Sequence, residues 1–171
     1  SFPIELVIGE DCSKDHTREI VLGYQRNHKE IIRMLFAQEN VGAMENFRRV
    51  IRACRGKYIA YCEGDDYWTD PTKLQKQVEC MKAHPGAAMV AHRAYKVDRH
   101  GNILSVFPSE QRSTLRPRDV IIKEGGLIAS NSMMIRKDLL ENIPDWFHAF
   151  PSGDTPLMNL ALHRGGILFT N

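Results

Sequence analysis

Three times in the first half of the chain, a short apolar run is followed by a longer stretch whose apolar residues recur at helical spacing, and a fourth run then follows. Residues 4–8 read as a buried strand. Ser13 then reads as an N-cap, with Thr17, Ile20, Val21 and Tyr24 on one helical side. Residues 31–36 form the second run. Behind it Met44, Phe47, Val50, Ile51 and Cys54 make one stripe, closed by Gly56. Arg48, Arg49, Arg52 and Arg55 lie off that stripe and read as a solvated outer face rather than a phosphate site. Residues 57–62 are the third run. Thr69 or Asp70 caps the next helix, Pro71 sits in its first turn, and Leu74, Val78 and Met81 form its inner face before His84-Pro85-Gly86 ends it. Residues 87–91 are the fourth run. Alternation of this kind predicts an α/β fold: a mostly parallel central sheet flanked by helices.

The second half is less regular. Residues 95–98 and 103–107 flank His100-Gly101-Asn102 and predict a hairpin. A short helix is expected over 119–123, a strand over 132–136 with a short helix through Leu140, and a last helix from about Asp154 carrying Leu157, Leu160 and Ala161. At 171 residues and 43% hydrophobic, the chain is one domain long and can bury a core. Its net charge of +2 is spread along the sequence, which argues against a nucleic-acid partner. Four cysteines form no Cys-x-x-Cys pair, so a zinc knuckle is not expected. Cys54 and Cys62 fall at apolar positions and read as buried free thiols, which suits a reducing, cytoplasmic compartment. No apolar run reaches membrane-spanning length. The chain opens on a strand without a starting Met and closes on another. Both flanks of a larger protein are therefore expected to be missing, and any peripheral association with the inner face of the membrane would lie in them. A homo-oligomer is left open.

Ligands of open α/β sheets bind at the carboxyl ends of the strands. Two acidic clusters fall there: Glu10-Asp11 after residues 4–8, and Glu63, Asp65 and Asp66 after residues 57–62. Three carboxylates in four residues repel one another unless a cation or bound donors compensate. A turn needs one Asp, not three acids followed by Tyr67 and Trp68. Hard oxygen ligands suit Mg²⁺ or Mn²⁺ bridging a substrate's phosphates.

This run resembles the Asp-x-Asp region of the family 2 glycosyltransferases, which have the Rossmann-like GT-A fold of nucleotide-diphospho-sugar transferases. Ile8-Gly9-Glu10-Asp11-Cys12-Ser13-Lys14-Asp15-His16-Thr17 is similar to the family's strand-two segment, Asn40-Val41-Gly42 to its Asn-x-Gly turn, Arg55-Gly56-Lys57-Tyr58-Ile59 to its strand entry, and Asp70-Pro71-x-x-Leu74 to its following helix. The resemblance covers roughly residues 4–85, and four motifs in order are specific where one would be weak. It implies one GT-A domain over 1–171, with a nucleotide-binding half (1–91) and an acceptor-side half (92–171). Asp11 would accept a hydrogen bond from the base, with Glu10 and Asn40 beside it on the donor. Glu63, which replaces the family's first Asp, would face the ribose. Asp65 and Asp66 would reach the metal and diphosphate. Ser152-Gly153-Asp154 resembles the late acidic motif that supplies the catalytic base, although Asp154 with Pro156 is also a good helix cap. Asn131-Ser132-Met133-Met134 would line the sugar or acceptor side, or else be core strand.

The family departs from this chain in two places. Its first strand and helix have no counterpart here, and Asn46-Phe47-Arg48 stands where many members have Ala-Arg-Asn. The implied activity is inverting transfer of a sugar from a UDP- or dTDP-sugar to a sugar or glycan hydroxyl, with Mg²⁺ or Mn²⁺, in cell-surface polysaccharide synthesis. The alternatives are a nucleotidyltransferase of the same fold and a non-catalytic nucleotide-sugar-binding module.

Overall fold

The computed structural model describes residues 2–109, 114–115, 128–144, 146–147, 150 and 153–170. The helix expected over 119–123 lies outside them, as does Ser152. The chain forms two compact units, residues 1–56 with 151–153, and residues 57–150 with 154–171.

The first unit is a βαβ motif extended by a second helix: β1 (Leu6–Glu10), α1 (Thr17–Asn27), β2 (Ile32–Phe36) and α2 (Ala43–Ala53). The strands pair in parallel from Leu6↔Ile32 to Glu10↔Phe36, with α1 as the crossover that a parallel pair requires. Ser13 does not cap α1. Asp15 does the work instead, its carboxylate accepting the Thr17 N–H at 3.0 Å. Asn46 on α2 donates to the Gly9 carbonyl at 2.9 Å, and Phe47 is the buried residue of that helix. The solvated outer face is realised by Arg52 and Arg55, whereas Arg48 and Arg49 are half-buried.

The second unit is built on a five-stranded sheet in the order β3 (Tyr58–Ala60), β8 (Met134–Arg136), β4 (Met89–His92), β9 (Ile167–Thr170), β7 (Thr114–Leu115). Its pairing is mixed rather than mostly parallel. β8 runs antiparallel to both β3 and β4, and β7 antiparallel to β9; only β4 and β9 are parallel. An apolar run specifies burial and not direction, and direction is set by the connection. Between β4 and β8 the described chain includes a hairpin in a sheet of its own, β5 (Ala94–Val97) and β6 (Ile103–Phe107). The hairpin turn is as expected: Asp98 accepts the N–H groups of His100 and Asn102, and Gly101 takes φ +82°.

Helices α3 (Lys73–Ala83) and α4 (Asp154–His163) belong to this unit and pack on its sheet. The core is Met81, Met89, Val90, Ala91, Leu157, Met158, Ala161 and Ile167. Met133 and Met134 join it, at 1% and 3% exposed. Both are core residues, Met133 just before β8 and Met134 its first residue, as the core reading expected. Cys62 is another correction: β3 stops at Ala60, so Cys62 belongs to the loop and is exposed, while Cys54 is half-buried. Among the described residues, no helix is long and apolar enough to cross a membrane.

The return from α4 to β9 passes through Gly165, at φ +145°, where an added Cβ would lie 2.1 Å from the Gly86 carbonyl oxygen. That atom is backbone and cannot swing away. Gly165→Ala is expected to destabilise the fold by roughly 2–3 kcal/mol, seen as a lower urea midpoint at unchanged slope. An unchanged midpoint would mean the turn relaxes freely.

Candidate functional site

In the first unit, β1 ends at Glu10 and the chain turns at Cys12, whose φ is +59°. This presents Asp11 to the loop before α2. The Asp11 carboxylate accepts the N–H groups of Val41 at 2.8 Å and Gly42 at 2.9 Å, and the Asn40 side-chain amide donates to the Asp11 carbonyl at 3.0 Å. The two sequence-assigned residues are thus brought together, and each Asp11 oxygen keeps a free lone pair. Glu10 is different. It is 2% exposed, and its carboxylate accepts the Ser13 N–H and the Arg18 Nε–H, both at 2.5 Å. Burial pushes its pKa up, but the hydrogen bonds from Ser13 and Arg18 and the Arg18 charge outweigh this and hold it below the ordinary value. Arg18 also donates to the Ala37 carbonyl at 3.0 Å, so Glu10 braces β1 to α1 and to the end of β2.

In the second unit, residues 61–68 leave β3 as a loop closed by the Asp66 N–H on the Glu63 carbonyl at 3.2 Å. Glu63, Asp65 and Asp66 are all exposed, yet they act on one another. Desolvation, followed by the charges of Asp66 and Asp65, raises the Glu63 pKa even though Tyr61 and Ser130 donate hydrogen bonds to it. Desolvation and Asp65 raise that of Asp66. The Tyr61 hydroxyl donates to Glu63 Oε1 at 3.3 Å. Its pKa is driven well above the ordinary phenol value, first by burial, then by Glu63, and also by the charges of Asp154 and Asp65. Tyr61 therefore marks the neighbourhood common to the acidic loop and the start of α4. There Asp154 accepts the Thr155 N–H at 2.8 Å. Asp66 also edges an open hollow of about 250 Å³, with Tyr95, Lys96, Ser105, Phe107 and Asn131 in its wall.

Among the described residues, no three His, Cys, Asp or Glu side chains converge as a complete metal cage. The donor set still fits Mg²⁺ or Mn²⁺, which such sites bind through one or two carboxylates together with substrate phosphates and waters. Two adjacent carboxylates, one with its pKa raised partly by the other, supply the oxygens and the uncompensated charge. Asp11, Asn40 and Glu10 belong to the first unit; Glu63, Asp65, Asp66 and Asp154 belong to the second. Tyr61 was missed from the sequence. Its one signal was its place two residues before Glu63, at the exit of the third apolar run.

The family model described as Glycosyl transferase family 2 matches residues 1–143. The "Uncharacterized protein Rv1520" of Mycobacterium tuberculosis is 35% identical over 153 residues, 85% of this chain and 44% of that protein. The chain therefore spans less than half the length of this relative. Among solved structures, Staphylococcus aureus TarS 1–349 superposes over 99% of this chain and 50% of its own, with TM-score 0.70 and 18% identity. The mannosyltransferase PcManGT from Pyrobaculum calidifontis, in complex with GDP-Man and Mn²⁺, superposes over 97% of this chain and 45% of its own, with TM-score 0.64 and 16% identity. These two likenesses carry the fold, and the family model carries the membership: the chain belongs to glycosyl transferase family 2 and has the GT-A fold.

Proposed function

We propose that the protein transfers a sugar from a nucleoside-diphosphate donor to an acceptor hydroxyl with inversion, in cell-surface glycan synthesis on the cytoplasmic side of the membrane. The observation that carries the reading is the convergence of Glu63, Asp65 and Asp154 on Tyr61, beside Asp66. Residues 1–91 hold the donor nucleotide, and residues 92–171 the acceptor side. Asp11 accepts from the base, and the Asn40 amide keeps its loop in place. Glu63, held by Tyr61, faces the ribose. Glu10 supports the donor side as an internal brace. Asp65 and Asp66 would hold Mg²⁺ or Mn²⁺, which supplies positive charge for the departing diphosphate. Asp154 takes the acceptor's hydroxyl proton as that oxygen bonds to the anomeric carbon and the bond from carbon to the diphosphate oxygen breaks. The sugar passes through an oxocarbenium-like state, and alignment of the two substrates lowers the entropic barrier.

The test is release of nucleoside diphosphate from UDP-, dTDP- and GDP-sugars, with glycan acceptors and Mn²⁺ or Mg²⁺. Acceptor-dependent release that stops with a chelator is expected. Release of pyrophosphate from a nucleoside triphosphate and a sugar phosphate would overturn the reading in favour of nucleotidyl transfer.

A further inference from the structure

Lys73 opens α3 and is only 5% exposed. A lysine is rarely so enclosed unless it is paired, and among the described residues Lys73 makes no ion pair with a carboxylate. Its position is also electrostatically adverse, because the first turn of a helix favours anions. Two groups hold the ammonium instead. It lies 4.1 Å from the centroid of the Trp68 ring and donates to Gln77 Oε1 at 2.8 Å. Gln77, 1% exposed, passes the chain of contacts on, donating to the Ser132 carbonyl at 2.7 Å. Trp68 donates its indole N–H to the Asn131 carbonyl at 2.8 Å. The last residue of the acidic loop and the first turn of α3 are thereby fastened to the same two-residue segment.

A methionine would fill this space without the cost of burying a charge, and buried charges are often replaceable by apolar groups without loss of stability. Packing alone therefore does not account for a lysine. What the ammonium adds is a cation–π contact that fixes the indole plane of Trp68, the residue that ends the acidic loop. Desolvation lowers the Lys73 pKa to about 8, so the group remains mostly protonated at neutral pH.

We infer that Lys73 is a positioning residue: it clamps Trp68 through its ammonium and so sets the acidic loop carrying Glu63, Asp65 and Asp66 for cation and nucleotide. The loop's purpose rests on the transferase reading, whereas the clamp itself does not. The test separates the two. Trp146→Phe leaves Trp68 as the single tryptophan of the two in the chain. In that background, Lys73→Met is expected to raise acrylamide quenching of Trp68 at least twofold, and Lys73→Arg to restore it. The same Lys73→Met change should weaken Mn²⁺-dependent UDP or GDP binding about tenfold with little change in Tm, with Lys73→Arg within about threefold of wild type. Unchanged quenching in a folded Lys73→Met protein would overturn the clamp. So would equal losses in Met and Arg variants, because shape rather than charge would then matter. If Lys73→Met does not fold, Lys73→Gln carries the comparison, and wild-type quenching in it is equally fatal. A wild-type protein that binds neither nucleotide with Mn²⁺ sinks the transferase reading, while the quenching result still decides the clamp.

Discussion

Asp154→Asn is expected to lower sugar transfer by about 10²–10⁴-fold while leaving donor binding close to wild type. The amide retains the oxygen that accepts the Thr155 N–H, so the first turn of α4 keeps its local contact. What is lost is the carboxylate that we propose removes the acceptor proton. The loss should therefore fall on kcat, not on the donor KM, the pattern of an interaction made only in the transition state. Tyr61 supplies an independent check. The charge of Asp154 helps to raise its phenol pKa, so Asp154→Asn should lower the alkaline titration of Tyr61, read by ultraviolet difference spectra. Near-full activity in the variant would remove Asp154 from the base position.

Asp66→Asn has the second large effect, and it works in opposite directions on activity and stability. Transfer should fall by at least 10²-fold, because one of the two carboxylates offered to the cation is gone. The metal-free protein should at the same time become more stable at neutral pH. Desolvation and Asp65 place the Asp66 pKa above its ordinary value of 3.8. An acid raised in the folded state binds its proton more tightly there than in the unfolded chain. Its contribution favours folding at low pH and is lost as the pH rises from the unfolded pKa through the folded one. The metal-free wild type should thus lose Tm relative to Asp66→Asn as the pH is raised from below 4 to 7, and Mn²⁺ with a nucleoside diphosphate should recover it only in the wild type. Parallel Tm curves across that range would show that Asp66 carries no repulsion to relieve.

Much of this was legible in the sequence because it depends on local periodicity. The strands at residues 4–8, 57–62 and 87–91 and the helices with Phe47 and Val78 on their inner faces follow from apolar spacing alone. The direction of β8 did not, since a strand's residues look the same whichever way it runs. Cys62 was misplaced because the strand run continues past the last paired residue, Ala60. Glu10 was assigned to the donor side by its place beside Asp11 in the segment that resembles the family's; the Arg18 that engages it is eight residues away and carries no mark of the pairing. Lys73 reads in sequence as an ordinary polar position of an amphipathic helix, and only its enclosure against Trp68 distinguishes it. The acidic cluster was legible for a different reason: like charges crowded together are costly, and that cost shows in the residue types themselves.

The most direct test is calorimetric titration of UDP and GDP into the protein, with Mn²⁺ and then with excess chelator, repeated on an Asp65→Asn/Asp66→Asn double variant. Saturable binding of one nucleotide that weakens at least tenfold with the chelator, and to the same degree in the double variant, is the predicted result. Binding of equal strength with and without the cation, or no binding of either nucleotide in its presence, would contradict a carboxylate pair built to hold a metal and a diphosphate.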